Sequence, residues 1–494
     1  MRRFLILAFL FPALTAAQDE HHHPVPEKLG TVSFPTTCKP ATQREFDRAV
    51  ALLHSFAYDA AEASFQSVAA HDPQCAMAHW GTAMTHFHQL WEPPVPVAGI
   101  AVAQKEISQA ETLEEASARE RGFIHALALV FKDASTVPYS TRVSNYENAM
   151  RDVAAANQKD VEAQVFYALA LIANASPSDR QHLKQKHAAD LLEPLYRELP
   201  NHPGIPHYLI HAYDNQELAS RGLPAARAYA TIAPSAPHAL HMPSHIFTRL
   251  GLWDDSIASN LAARDAATQQ GDTGEQLHAM DYLVYAYLQS GGDEKAAEVI
   301  EQLKSLEKLN MGEFKIGYAA TAMPIRYAVE QHRWSDAEKI ANPPDAAPPP
   351  VMAIAVWARG VGFAHTGHVP EAQKESETLG QIEERLLTAG SAYWATQVNI
   401  MKREVMAWSA QAANRRDEAV ASLRSAADEE DGIEKLPVTP GPIVPAREQL
   451  GELLLEQGNS VSALKEFQVA LVNYPGRRGA LKGAVQAARV SAEK

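Results

Sequence analysis

The chain has 494 residues, 46% hydrophobic and 21% charged, a balance typical of folded proteins that excludes global disorder. Its formal net charge is -15 and no Lys/Arg-rich block stands out. That argues against nucleic acid, whose phosphates call for a basic face, and against attachment by charge to an anionic membrane.

The first element is "MRRFLILAFLFPALTAAQ". Two arginines, a short apolar run and the small residues Thr15, Ala16 and Ala17 predict a signal peptide over residues 1–17. The run is shorter than the roughly 20 apolar residues a membrane span needs. Losing Arg2 and Arg3 would take the charge from -15 to -17. No later segment approaches spanning length, so the mature chain is expected to be periplasmic or secreted, without an integral membrane segment. Residues 18–41 read as an extended segment, and "HHH" at 21–23 reads as a tail; a terminus beginning at Gln18 lacks the spacing of a copper- or nickel-chelating one. Cys38 and Cys75 are the only cysteines. They flank the first helical hairpin, and in an oxidising compartment a bridge between them is expected. The alternative is two unpaired buried thiols.

From about residue 42 onward Ala, Leu and Glu recur at helical spacing, and no sustained period-2 alternation appears. Short Gly/Pro/Asp clusters break the pattern. The longest is "NPPDAAPPP", which predicts a Pro-rich loop over 342–351 between a helical array at 42–341 and another at 352–494. "FAYDAAEASFQSVAAHDP", "RLGLWDDSIASNLAARDA", "QSGGDEKAAEVIEQLKSL" and "EQGNSVSALKEFQVALVNYP" share one plan: a tight polar turn, a small residue (Ala61, Ser256, Ala297, Ala463) and an apolar helix. These units resemble the tetratricopeptide repeat (TPR), in an exported bacterial type with degenerate repeats. The resemblance implies an all-α solenoid whose first helices line a concave groove.

"PHYLIHAYD" places His207, His211 and Asp214 on one helical face, and "HALHMPSHIF" does the same for His238, His241 and His245. His241 and His245 each follow their counterparts by 34 residues, one repeat. A third stretch, "GEQLHAMDYLVYAYLQSGG", carries His278 and Asp281. With 21 histidines in the chain, about one i, i+4 pair arises by chance; two pairs one repeat apart are a stronger signal. Facing helices lie about 8–10 Å apart, so the pairs are expected to meet at one point. His207, His211, His241 and His245 are the candidate ligands of a divalent transition metal (Zn, Cu or Fe), with His238, Asp214, His278 and Asp281 as further ligands or orienting partners. The competing reading is a polar, hydrogen-bonded groove lining. Pro243 either kinks the histidine helix or starts it.

Other stretches carry less. In "AHWGTAMTHFHQLW", Trp80 and His88 face either the groove or the core, and an aromatic helix is more often core. Arg447 and Glu448 either turn into the groove or follow a helix that Pro445 opens. There is no H-E-x-x-H, G-x-S-x-G or Gly-rich phosphate loop. Two functions follow: a metal site, catalytic as a hydrolase or oxidoreductase or not at all, or a scaffold holding a peptide, a protein or a small molecule in the groove.

Overall fold

The computed structural model describes residues 27–90 and 96–493. The expected signal peptide and the triple-histidine tail lie outside these, as does Trp91. Every regular element among the described residues is a helix, arranged as antiparallel hairpins such as Gln43–His54 with Tyr58–His71 and Gly204–Tyr213 with Ala219–Ile232. The architecture is the TPR-like α-solenoid that the repeats imply. No helix among the described residues is long and apolar enough to cross a membrane.

The two helices of a hairpin differ in burial. Every residue of Gly204–Tyr213 is buried, and so are nearly all of Thr273–Ser290. The second helix Asp293–Lys304 buries only Ala296, Val299, Ile300 and Leu303, one stripe on an otherwise solvated surface. Helix starts follow local chemistry. Ser117 and Glu120 form a reciprocal capping box, and Asp272 accepts from the Glu275 N–H. Pro348 caps Pro349–His365, so residues 349–351 of the expected loop are that helix's first turn. One apolar core extends from Tyr318 to Ala487 across this loop.

The extended N-terminal segment straps the first repeats. Phe34 is fully buried among Phe46, Trp80, Phe123 and Phe166, which places Trp80 in the core. His88 stacks on Tyr58. Cys38 and Cys75 are bridged, with Cα atoms 4.7 Å apart.

Two distant turns close the superhelix on itself. In "RLGLW", Gly251 has φ +68°, and a Cβ there would stand 2.5 Å from the Pro475 carbonyl oxygen of "YPGRR". Only glycine permits that approach. Trp253 Nε1–H donates to the Gly476 carbonyl at 3.2 Å. The 432–445 segment crosses the inner helices, where 437–442 meet Tyr282 and Arg326. Tyr282 donates to the Pro437 and Thr439 carbonyls, and Arg326 to those of Gly441 and Pro442. Pro445 caps the helix Ala446–Glu456. Arg447 pairs with Asp428, Asp431 and Glu466, and Glu448 with Arg477, so both hold the last repeats together.

At the start of this crossing, Glu430 accepts from the Ala446 N–H, and burial pushes its carboxyl up to about 8. A carboxyl raised on folding stabilises below its unfolded value, and that stability is lost as pH rises through 8. Glu430→Gln is therefore expected to leave stability unchanged near pH 5 and to raise it by about 1 kcal/mol or more at pH 9. Urea unfolding at the two pH values checks this.

Candidate metal centre

The Gly204–Tyr213 helix carries His207 and His211 one turn apart. Its first residue must lack a side chain: a Cβ on Gly204 would come within 2.7 Å of the His54 ring. The "HALHMPSHIF" segment forms two short helices, Pro237–His241 and Pro243–Arg249, and Met242 between them keeps helical dihedrals (φ -52°, ψ -36°). Pro243 thus both breaks the helix and starts its second half, while His238, His241 and His245 stay on one side. His278 is on the next inner helix.

All six histidines are buried; the most accessible, His211, is 6% exposed. They sort into two triplets. In each, one ring nitrogen per residue lies within 4.8 Å of the others: His207, His211 and His238 in one, His241, His245 and His278 in the other. The expectation of two pairs meeting at one point is corrected by this sorting. Each pair is completed by a histidine from farther along the chain rather than by the other pair. Rings of the two triplets adjoin, with centroids 5.9 Å apart for His211 and His245 and 6.0 Å for His238 and His241.

A neutral imidazole has one N–H and one lone pair, so its hydrogen-bond partners assign the tautomer. His207 Nδ1 lies 2.5 Å from the His54 carbonyl oxygen, and His241 Nδ1 lies 2.6 Å from Asn260 Oδ1. His245 Nδ1 lies 2.9 Å from Asp214, and His238 Nδ1 lies 3.2 Å from Glu275. The partners are all oxygen acceptors, so each Nδ1–H donates and each Nε2 presents its lone pair inward. Inside the cluster, Nε2 of His241 and Nε2 of His245 are 3.0 Å apart, and those of His207 and His211 are 3.1 Å apart. The lone pairs of His241 and His245 facing each other at such a distance repel, whereas His211 Nε2–H is able to donate to His207 Nε2. A cation between the facing lone pairs reverses the sign. Metal–nitrogen bonds of about 2.0–2.1 Å set neighbouring ligand nitrogens roughly 3–3.5 Å apart, so the observed spacing fits a metal.

The electrostatics keep His207, His211, His241, His245 and His278 neutral. Burial, reinforced by the neighbouring imidazoles, holds His207, His211, His241 and His278 well below the ordinary imidazole range. Burial lowers His245 to about 4 although Asp214 opposes it. The supporting carboxylates stay ionised. Burial would raise Asp214, but Lys435 at 2.8 Å, Arg249 at 2.8 Å and His245 outweigh it. Glu275 is held down in the same way by Lys315 and His238.

Asp214 therefore accepts from a histidine ring, one of the two roles open to it. Asp281 does not reach the cluster: it pairs with Arg326 at 2.9 Å, where both are fully buried. Although Asp281 is only three residues from His278, the nearby guanidinium captures it, and that guanidinium also holds the 441–442 carbonyls. Of the tyrosines, Tyr282 packs its ring against His241, His245 and His278, Tyr208 donates to His54 Nδ1, and Tyr213 turns outward to Glu193.

Sequence reading missed His54, Asn260, Glu275, Lys435 and Arg249. Glu275 was within reach, three residues before His278 on the same helix. Arg249 too is local, four residues after His245 on one helix, whereas His54 lies 153 residues from His207 and Lys435 lies 221 from Asp214. A further group, His54, Glu162 and His202, is a supporting node. His54 Nε2–H and His202 Nε2–H both donate to Glu162, at 2.8 and 2.9 Å. Phe56 sits at φ +53° in the turn between the first two helices. Its ring packs on His207, His211 and His238.

A cavity of about 640 Å³ opens onto His211 and Asp214, with Phe314, Trp394, Lys435 and Val438 among its walls. That size suits a small molecule.

No family model and no curated protein matches the chain. Among solved structures, the TPR domain of P58(IPK) is 11% identical, with 92% of this chain and 99% of that one covered and a TM-score of 0.23. A monomeric IFIT1 mutant with Gppp-AAAA is 10% identical over 84% and 90%, at a TM-score of 0.38. The human IFIT1 dimer with m7Gppp-AAAA is 11% identical over 80% and 89%, at 0.34. Similarity this low leaves the functional argument to the site itself.

Proposed function

We propose that this chain is an exported TPR-like solenoid whose buried histidine cluster binds a transition metal beside a small-molecule cavity. The single observation behind the reading is the facing of the His241 and His245 Nε2 lone pairs, each fixed by an oxygen acceptor on the opposite nitrogen. A hydrogen-bonded groove lining would instead alternate donors and acceptors. Orienting acceptors of this kind are the usual companions of metal-bound histidine. The 437–442 backbone lies against Tyr282 and Arg326 of the inner helices, which favours a small ligand over a peptide laid along the groove. The Cys38–Cys75 bridge fits an oxidising compartment.

In this reading the metal supplies Lewis acidity or redox capacity. The chain's own groups orient the ligand rings, exclude bulk water and leave His211 facing the cavity. Lys435, lowered to about 8 by burial, adds a proton donor at the cavity wall.

Elemental analysis of the protein purified without a histidine tag is the test. Stoichiometric Zn, Cu or Fe is expected. A His211→Ala/His245→Ala variant removes one ligand from each triplet and is expected to lose that metal while its circular dichroism stays helical. Wild-type protein that is folded, arrives without metal and takes up none of the three would overturn the proposal.

A further inference from the structure

We infer that the centre is dinuclear, that each histidine triplet holds one metal ion, and that the metal is copper. The inference rests on the metal reading above and deepens it. Its first support is that the two triplets are built alike, one repeat apart. His207 and His241 are 34 residues apart, as are His211 and His245. In both triplets an i, i+4 pair takes its third imidazole from the next inner element, His238 in one case and His278 in the other. A solenoid that reproduces its packing from unit to unit reproduces the ligand set too. A single centre would need ligands drawn from both pairs, whereas the close nitrogen contacts fall within the pairs.

Each triplet also has its own orienting acceptors. The first uses the His54 carbonyl and Glu275; the second uses Asn260 and Asp214. These four hydrogen bonds run to four different acceptors, so each set has orienting contacts of its own. The triplets nevertheless adjoin, at the 5.9 and 6.0 Å ring separations between His211 and His245 and between His238 and His241, which places two ions in one pocket without a common protein ligand.

The ligand chemistry selects the metal. Every candidate ligand is a neutral imidazole, which suits zinc, copper, iron or nickel. The nearby carboxylates are already committed as acceptors of N–H groups and as partners of cations: Asp214 with Arg249 and Lys435, Glu275 with Lys315. Neither carboxylate is left as a ligand to offset the ions. Because the penalty for burying charge grows steeply with that charge, a pair of neutral three-nitrogen sets favours the singly charged ion, Cu(I). In the divalent series imidazole sites also favour copper over zinc and iron.

The experiment is anaerobic titration of the full-length, untagged protein with Cu(I) against a chromophoric chelator, with Zn(II) in parallel. Two Cu(I) per chain are expected, with copper K-edge spectra showing nitrogen-only coordination. His207→Ala/His211→Ala and His241→Ala/His245→Ala should each retain one equivalent. If either variant fails to fold, the wild-type stoichiometry still decides, alongside the milder His238→Gln and His278→Gln. A single equivalent in the wild-type protein, or both equivalents lost on disrupting one triplet, would overturn the dinuclear assignment and leave a metal site standing. Zinc displacing Cu(I) would overturn the choice of metal. No uptake of either ion by the folded chain would remove both readings.

Discussion

Asp214→Asn is expected to destabilise the protein by about 3–5 kcal/mol and to weaken metal binding 10–100-fold. The substitution keeps the shape and an oxygen that can accept the His245 Nδ1–H, so the loss arises from charge. The Asp214 side chain is buried and receives Arg249 Nε–H on one oxygen and both His245 and Lys435 on the other. Without its negative charge, Lys435 faces Arg249 with one fewer counterion; Glu434, 3.2 Å from Arg249, remains. Adding Lys435→Met removes the unpaired ammonium and should recover part of the stability but little of the metal affinity, because His245 would still lack its charged acceptor. Chemical denaturation of the single and double variants, read beside their metal affinities, separates the two effects. A loss below about 1 kcal/mol would mean that water reaches this site.

Removing the disulfide by Cys38→Ser/Cys75→Ser should lower stability by about 4 kcal/mol, the loop-closure value for a separation of 37 residues. In a solenoid each unit depends mainly on its neighbours, so the loss should concentrate in the first repeats. Hydrogen exchange over residues 27–75 should speed up most. The consequence reaches the histidines, because the turn of the stapled hairpin, residues 54–57, supplies the His54 carbonyl to His207 and packs Phe56 on the first triplet. Metal affinity of that triplet should fall as the hairpin frays, while the second triplet keeps its own acceptors. Exchange rates and affinities that match the bridged protein would show that the strap around Phe34 holds the hairpin unaided.

The chain's own residue order determined the helical class, the repeats and the histidine pairs. Helical periodicity is a local property, and one turn is enough to place His207 with His211. The cysteine pairing was legible for a similar reason, since two half-cystines flanking one hairpin meet when that hairpin forms. What only the tertiary structure decided is how the pairs are completed and which atoms point inward. His238 and His278 join the pairs from neighbouring inner helices. The tautomers are fixed by Asn260 on a second helix, by the His54 carbonyl and by two carboxylates. Asp281, on the expected face, turns instead to Arg326 and the 441–442 carbonyls. Lys435 arrives on the 432–445 segment, and the superhelix closes through Gly251 and Gly476. Those contacts join residues many repeats apart, where no spacing rule along the chain operates. The selection among acceptors is made by which buried charge or carbonyl lies within hydrogen-bond reach once the turns have docked.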